Sequence, residues 1–144
     1  MEWATQRGGF IMAEAPQNSV ITLFRRVQFC LITSGEISTI SPITHVAFGS
    51  GGVDSNGDPI SPLETQTTLN NQVAIYPINS VNFPIEPRTT ARYEVTIPAP
   101  DLSGVPISEL ALVDEEGNLC AIKTFFAVRK SEGIAFTMEI LDEF

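Results

Sequence analysis

The chain has 144 residues, of which 43% are hydrophobic, enough for one folded domain and thin for two. Eight Lys and Arg face 17 Asp and Glu, giving a formal net charge of −9. A field of that sign repels phosphate backbones and anionic lipid, which argues against nucleic acid and membrane surfaces as partners. No apolar run approaches the roughly 18 residues of a membrane span, and Met1–Phe10 has no export-signal pattern.

Glu2 to Gln17 holds little apolar periodicity, is interrupted by Gly8-Gly9 and closes near Pro16. Residues 1–17 therefore read as a flexible N-terminal arm and 18–144 as a single domain, with Met12 an alternative start. Next, Val20, Leu23, Phe24, Val27 and Leu31 recur at spacings of three and four, which predicts an amphipathic helix with these residues on a core-packing face, a partner-binding face being the alternative. Asn18 or Ser19 suits its start and Gly35 the left-handed turn at its end, while Arg25, Arg26 and Gln28 fall on other faces.

From Ile37 the pattern changes to strands. Ile43–Phe48 is short and β-rich, and it runs into Gly49–Pro59, a dense cluster of turn residues that predicts an exposed loop. Thr65–Asn71 is polar and reads as a helical turn or an irregular connection. Val73–Tyr76 and Ile78–Phe83 read as β, confined to edges or bends by Pro77, Pro84 and Pro87. Tyr93, Val95 and Ile97 alternate with Glu94 and Thr96, so that strand buries one face. Ile107–Val113 and Leu119–Phe126 flank Asp114–Asn118 as a hairpin with Gly117 in its turn, and Ile134, Phe136, Met138 and Ile140 alternate in a last strand. One helix followed by antiparallel strands predicts an α+β, mainly antiparallel β domain, with an N-terminal helix packed on a sheet or sandwich.

Candidates for chemistry are few. His45, the only histidine, has no serine, cysteine or carboxylate placed beside it by spacing and reads as a structural polar residue. Cys30 and Cys120 cannot fill a zinc site without carboxylates and read as free thiols. Asp54–Asp58 departs from a calcium loop, having Gly57 at its fourth position and Thr65 at its twelfth. Glu109 sits in an apolar strand; turned inward, it needs an arginine or backbone amides, so a structural hydrogen-bonding role is expected. A hydrolase would have to set Glu109 against Glu94 or Asp114, and a carbohydrate-binding β-module would want more than one Trp and two Tyr. No catalytic residue, metal or cofactor is assigned.

Three motifs stand in order: Ile43-Thr-His-Val-Ala-Phe-Gly49-Ser-Gly51-Gly52, then Gln66-Thr-Thr-Leu69-Asn-Asn71, then Ile107-Ser-Glu109-Leu-Ala-Leu-Val-Asp114-Glu-Glu-Gly117-Asn-Leu. Together they resemble the N-terminal domain of phage tail-collar fibre proteins, over roughly Leu23 to Phe144. Two departures are Gln72, where a Glu is usual, and Ala111, where a Gly is common. The resemblance implies a non-enzymatic structural component of a phage or phage-like contractile tail, acting at the baseplate or collar of a particle assembled in the bacterial cytoplasm. It further implies other tail proteins as partners, several copies, and no nucleic acid, membrane or small-molecule substrate. Because the chain stops directly after its last strand, an attachment, adaptor, plug or decoration subunit is expected. Candidate contact residues are Phe48, Gly49, Gly51, Gly52, Asp54, Asn56 and Asp58, together with the arm.

Overall fold

Val46, Leu112, Tyr76 and Ala121 stand opposite one another across four neighbouring strands, so their side chains share one face of a sheet. A computed structural model describes residues 2–6, as backbone, and 18–144. The strands are β1 (Glu2–Gln6), β2 (Ser19–Ile21), β3 (Ile43–Gly49), β4 (Gln72–Pro77), β5 (Ser80–Asn82), β6 (Thr90–Ile97), β7 (Pro106–Asp114), β8 (Leu119–Arg129) and β9 (Phe136–Glu143). The helix α1 (Leu23–Thr33) lies between β2 and β3. The strands form two antiparallel sheets, ordered β1-β9-β6-β5 and β2-β8-β7-β3-β4. The architecture is α+β and mainly antiparallel β, as the alternating patterns predict.

The core lies between the sheets. Val46, Phe48, Leu110, Leu112 and Phe125 of the five-stranded sheet meet Tyr93, Val95, Ile97, Met138 and Ile140 of the four-stranded one. The other face of the five-stranded sheet is also covered. Ala47, Ala111, Val113, Leu119 and Ile122 pack there with Leu69, which belongs to the connection between β3 and β4. Burial on both faces is why β7 reads as a continuous apolar run rather than an alternation.

The helix departs from its expected start. Val20 and Ile21 are β-branched and pair with Ile122 and Ala121 as β2, with Ser19 opposite Lys123, so neither Asn18 nor Ser19 caps α1. Thr22 does: its Oγ1 accepts from Arg25 N at 3.3 Å and donates to Leu119 O at 2.7 Å. Gly35, at φ 83°, closes the other end as expected. Its N–H donates to Ile32 O and that of Glu36 to Leu31 O, the paired bonds of a Schellman turn.

The predicted core face is also corrected. Phe24 and Leu31 of that face are half-buried, but Leu23 and Val27 are each 44% exposed, whereas Arg25 is buried. The cause is on β9. Arg25 donates to both carboxylate oxygens of Asp142, at 2.9 and 2.5 Å, and its guanidinium lies 5.1 and 5.2 Å from the ring centres of Phe29 and Phe144. A two-pronged ion pair flanked by aromatic faces outweighs the placement of two aliphatic side chains, and it turns the Leu23–Val27 stripe outward. Burial opposes the Arg25 charge, but its pairing with Asp142 more than offsets this and holds the guanidinium above its ordinary pKa.

Residues 1 and 7–17, and with them the alternative start at Met12 and most of the proposed arm, lie outside the described residues. The backbone of Glu2–Gln6, within the same segment, pairs with β9.

Two outcomes follow for stability. Asp142→Asn leaves a buried guanidinium facing a neutral partner and should cost about 3–5 kcal/mol in urea unfolding. Replacing both Arg25 and Asp142 with apolar residues should cost much less. Burial, with Asp142 secondary, pushes the Tyr93 hydroxyl from 10.0 up to about 12. Burial, then Asp114, pushes the Cys120 thiol from 9.0 up to about 12. The unfolded chain gives up these protons first, so stability should be full below about pH 9 and fall as pH rises towards about 12. An alkaline series of urea melts reads this directly.

Candidate functional site

The connection from β3 to β4 folds back across the outer face of the five-stranded sheet, and Glu109 of β7 holds it there. Glu109 stands in register with Gly49 on one side and Thr124 on the other and is wholly buried. Its Oε2 accepts from Gly51 N and Asn71 N, both at 2.8 Å, and its Oε1 accepts from Asn70 N at 2.9 Å. Three backbone amides thus replace the water a buried carboxylate would lose, as the sequence reading expects of an inward-facing acid.

The glycines are required by closeness. A Cβ on Gly49 would lie 2.5 Å from Glu109 Oε2 and 2.6 Å from Asn71 O. One on Gly51 would lie 2.7 Å from Asn70 Cβ, and one on Gly52 would collide with the carbonyl of Ser108. Freed of side chains, the strip lies against β7, where Gly52 N donates to Ser108 Oγ at 2.9 Å. Asn70 Nδ2 donates to Gly51 O at 2.9 Å and Asn71 Nδ2 to Ser50 Oγ at 2.7 Å, which ties the two ends of the connection together. Farther along, Thr124 Oγ1 donates to Ile60 O at 2.6 Å.

Beyond this knot the loop projects. Val53 bridges to Pro59, and between them Asp54 Oδ1 accepts from Asn56 N at 2.8 Å and Asp58 N at 3.0 Å. Asp54, Asn56 and Asp58 are exposed at this tip. Phe48 lies in the core, Gly49 and Gly52 are buried under the knot, and Gly51 is half-buried. The seven candidate contact residues therefore divide into a buried base and an exposed tip.

The remaining candidates lie apart. His45 is half-buried on β3, opposite Pro77 and Val113, with Nδ1 2.8 Å from Thr44 Oγ1. Glu94 is on β6 in the other sheet. Asp114 accepts from the N–H groups of Glu116 and Asn118 in the hairpin turn, where Gly117 has φ 90°. Both cysteines are free, Cys30 exposed and Cys120 buried. Among the described residues no three His, Cys, Asp or Glu are grouped to hold a metal, and no helix is long and apolar enough to cross a membrane.

Residue types alone do not reveal the parts played by Asn70, Asn71, Ser108 and Thr124. The polar pair after Leu69 was the available signal, and it precedes β4 by a single step. Both sequence departures are harmless to the knot. Gln72 is exposed, while the amides used belong to Asn70 and Asn71. Ala111 packs between Ala47 and Ile122.

Glu109→Gln keeps the shape but turns one acceptor into a donor facing an N–H group. It should cost about 3 kcal/mol in thermal or urea unfolding. Gly52→Ala should cost about 1–3 kcal/mol by overpacking, whereas Gln72→Glu should be near neutral.

The family model for the N-terminal region of the phage tail-collar fibre protein matches residues 36–136, narrower at both ends than the span of the motif resemblance. No curated protein and no solved structure matches the chain. The matched residues contain all three strips that meet at Glu109: the glycine loop, the Leu69-Asn-Asn71 segment and the β7 strand with its hairpin. By that match the chain belongs to the phage tail-collar fibre protein family and is a structural component of a phage tail.

Proposed function

We propose that this protein is an attachment, adaptor or decoration subunit at the baseplate or collar of a phage or phage-like contractile tail. It is made in the bacterial cytoplasm, present in several copies, and acts through contacts with other tail and baseplate proteins. One observation supports this above the others: the buried carboxylate at which the three family motifs meet is spent on the protein's own backbone. Glu109 has no exposed surface, and its oxygens face three amides. Such a carboxylate holds a loop rather than meeting a substrate, which favours a non-enzymatic role.

What the knot presents outward is the tip at Asp54, Asn56 and Asp58, with Gly49, Gly51, Gly52 and Phe48 as its support. A tip carrying two acids on a chain of net charge −9 calls for a basic patch on the partner. The N-terminal arm is the second proposed contact. Tyr93 is buried and the Tyr76 hydroxyl donates to Asp101 at 2.9 Å, so neither tyrosine offers the open platform that sugar binding favours.

Asn56→Arg with Asp58→Lys reverses the charge of the tip and leaves the Asp54 turn in place. These exposed changes should alter unfolding by no more than about 0.5 kcal/mol, yet sharply reduce incorporation into purified particles. Equal incorporation would remove the tip from the interface, and deletion of Met1–Ile11 tests the arm in the same assay.

A further inference from the structure

The two sheets end on one side at β1 and β2 and on the other at β4 and β5, which follow each other in the chain. Among the described residues β5 pairs only with β6, and Ser80–Thr89 is exposed throughout. Edge strands are ordinarily blunted by charge or by proline. From Thr65 to Ile85 there is no charged side chain, and Pro77 and Pro84 fall outside β5, so each of its three residues keeps its N–H. Ile75, Val81, Phe83 and Ile85 add apolar surface, each 45–49% exposed.

Val81 distinguishes β5 from β4. It stands opposite Tyr93 of the core, so its side chain faces between the sheets, yet it is 47% exposed. The reason is a cavity of about 430 Å³, within the range of natural binding pockets, that Val81 lines together with Phe24, Phe29, Ile40, Ile43, Tyr93 and Phe144. The charged groups of its wall are already engaged: Arg25 by Asp142, and Asp114 by the amides of its hairpin turn. The cavity therefore suits an uncharged, apolar side chain. A strand added beyond β5 would set the residue across from Val81 on the same face, at the mouth of this cavity. Backbone bonds to a sheet edge with a pocket for an alternate side chain are a recurring way of holding an extended peptide.

Charge narrows the occupant. The exposed cation beside the edge is Arg88, whose guanidinium lies 4.8 Å from the ring centre of Phe83 and 3.4 Å from Glu86 Oε1. It favours an acid on the arriving segment. A second copy fits poorly, because it would bring a net charge of −9 against −9 and offer from its own β5 only Val81, which already lines a cavity.

We infer that β5 takes an extended segment of another tail protein as an added strand, with one large apolar side chain of that segment in the cavity beside Val81 and an acid facing Arg88. The inference rests on the reading of the protein as a tail subunit held by other tail proteins, and it places a contact apart from the loop tip.

Purified particles carrying the full chain test it. Asn82, opposite Arg92 and exposed, takes a benzoylphenylalanine photocrosslinker outside the cavity. Irradiation should join it to another tail protein, at a segment with apolar residues at alternate positions. No link, or links to copies of this chain alone, overturns the inference. The amides of Ser80–Asn82 should exchange hydrogen at least about tenfold more slowly in the particle than in the free chain, and equal exchange overturns it. Val81→Glu points a charge into the cavity and should lower incorporation at least about tenfold, whereas Val81→Ile should be incorporated like the parent. Equal incorporation of Val81→Glu counts against the inference, and if that variant fails to fold, exchange in the parent decides. A parent chain absent from particles overturns the tail reading as well, while a parent present with β5 unprotected overturns this inference alone.

Discussion

The Glu109 carboxylate is the constraint on which the family-matched part of the molecule depends. It is wholly buried, its hydrogen bonds among the described residues come from backbone amides, and a buried charge is costly. Three short amide bonds offset that cost, and each places a demand elsewhere. Gly51 must bring its N–H inward, which requires bare glycines at Gly49 and Gly52 beside it. Asn70 and Asn71 must arrive together from the far end of the connection, which positions the start of β4. The loop, the sheet edge and the cover over Ala47, Ala111 and Val113 thus follow from one side chain.

Another buried ion, Arg25, is handled differently. Its charge is met by Asp142 and two aromatic rings, so the pair joins the helix to the four-stranded sheet. Breaking either arrangement exposes its surviving member to a medium that cannot solvate it. The arrangements serve different ends, though. The glutamate shapes a loop inside the family-matched region, and the arginine sets the orientation of a helix outside it.

The sequence was legible where burial is one-sided and local. Alternation marked β6 and β9, and the Asp114–Asn118 turn marked the hairpin. The terminating role of Gly35 also followed from elementary chemistry, as did the need of an inward Glu109 for a partner, though not the choice of backbone amides over an arginine. The start and the orientation of α1 did not. A stripe at helical spacing says which residues share a face, but not which face meets the body. Here the deciding partner, Asp142, is 117 residues away along the chain, and no local pattern announces it. Val20 fits the helical stripe and a β-strand equally well, and pairing with Ile122 decided it. At the loop, the sequence drew the candidate contacts as one set, because a glycine needed for close packing and a glycine needed for an exposed turn look alike until the neighbour of each is known.

This division bears on how such a subunit is built. A tail component must keep its fold constant while its surfaces suit particular neighbours. Glu109, its amides and the glycines form an inward-facing device that tolerates Gln72 and Ala111, since neither substitution touches the atoms it uses. The most exposed parts lie on separate segments, among them the loop tip at Asp54–Asp58 and Leu23 and Val27 of α1. Substitutions there leave the knot's hydrogen bonds intact, so the exposed surface can vary without loss of the core. The net charge of −9 acts in the same direction, since it opposes contact with other acidic surfaces and favours neighbours of opposite charge.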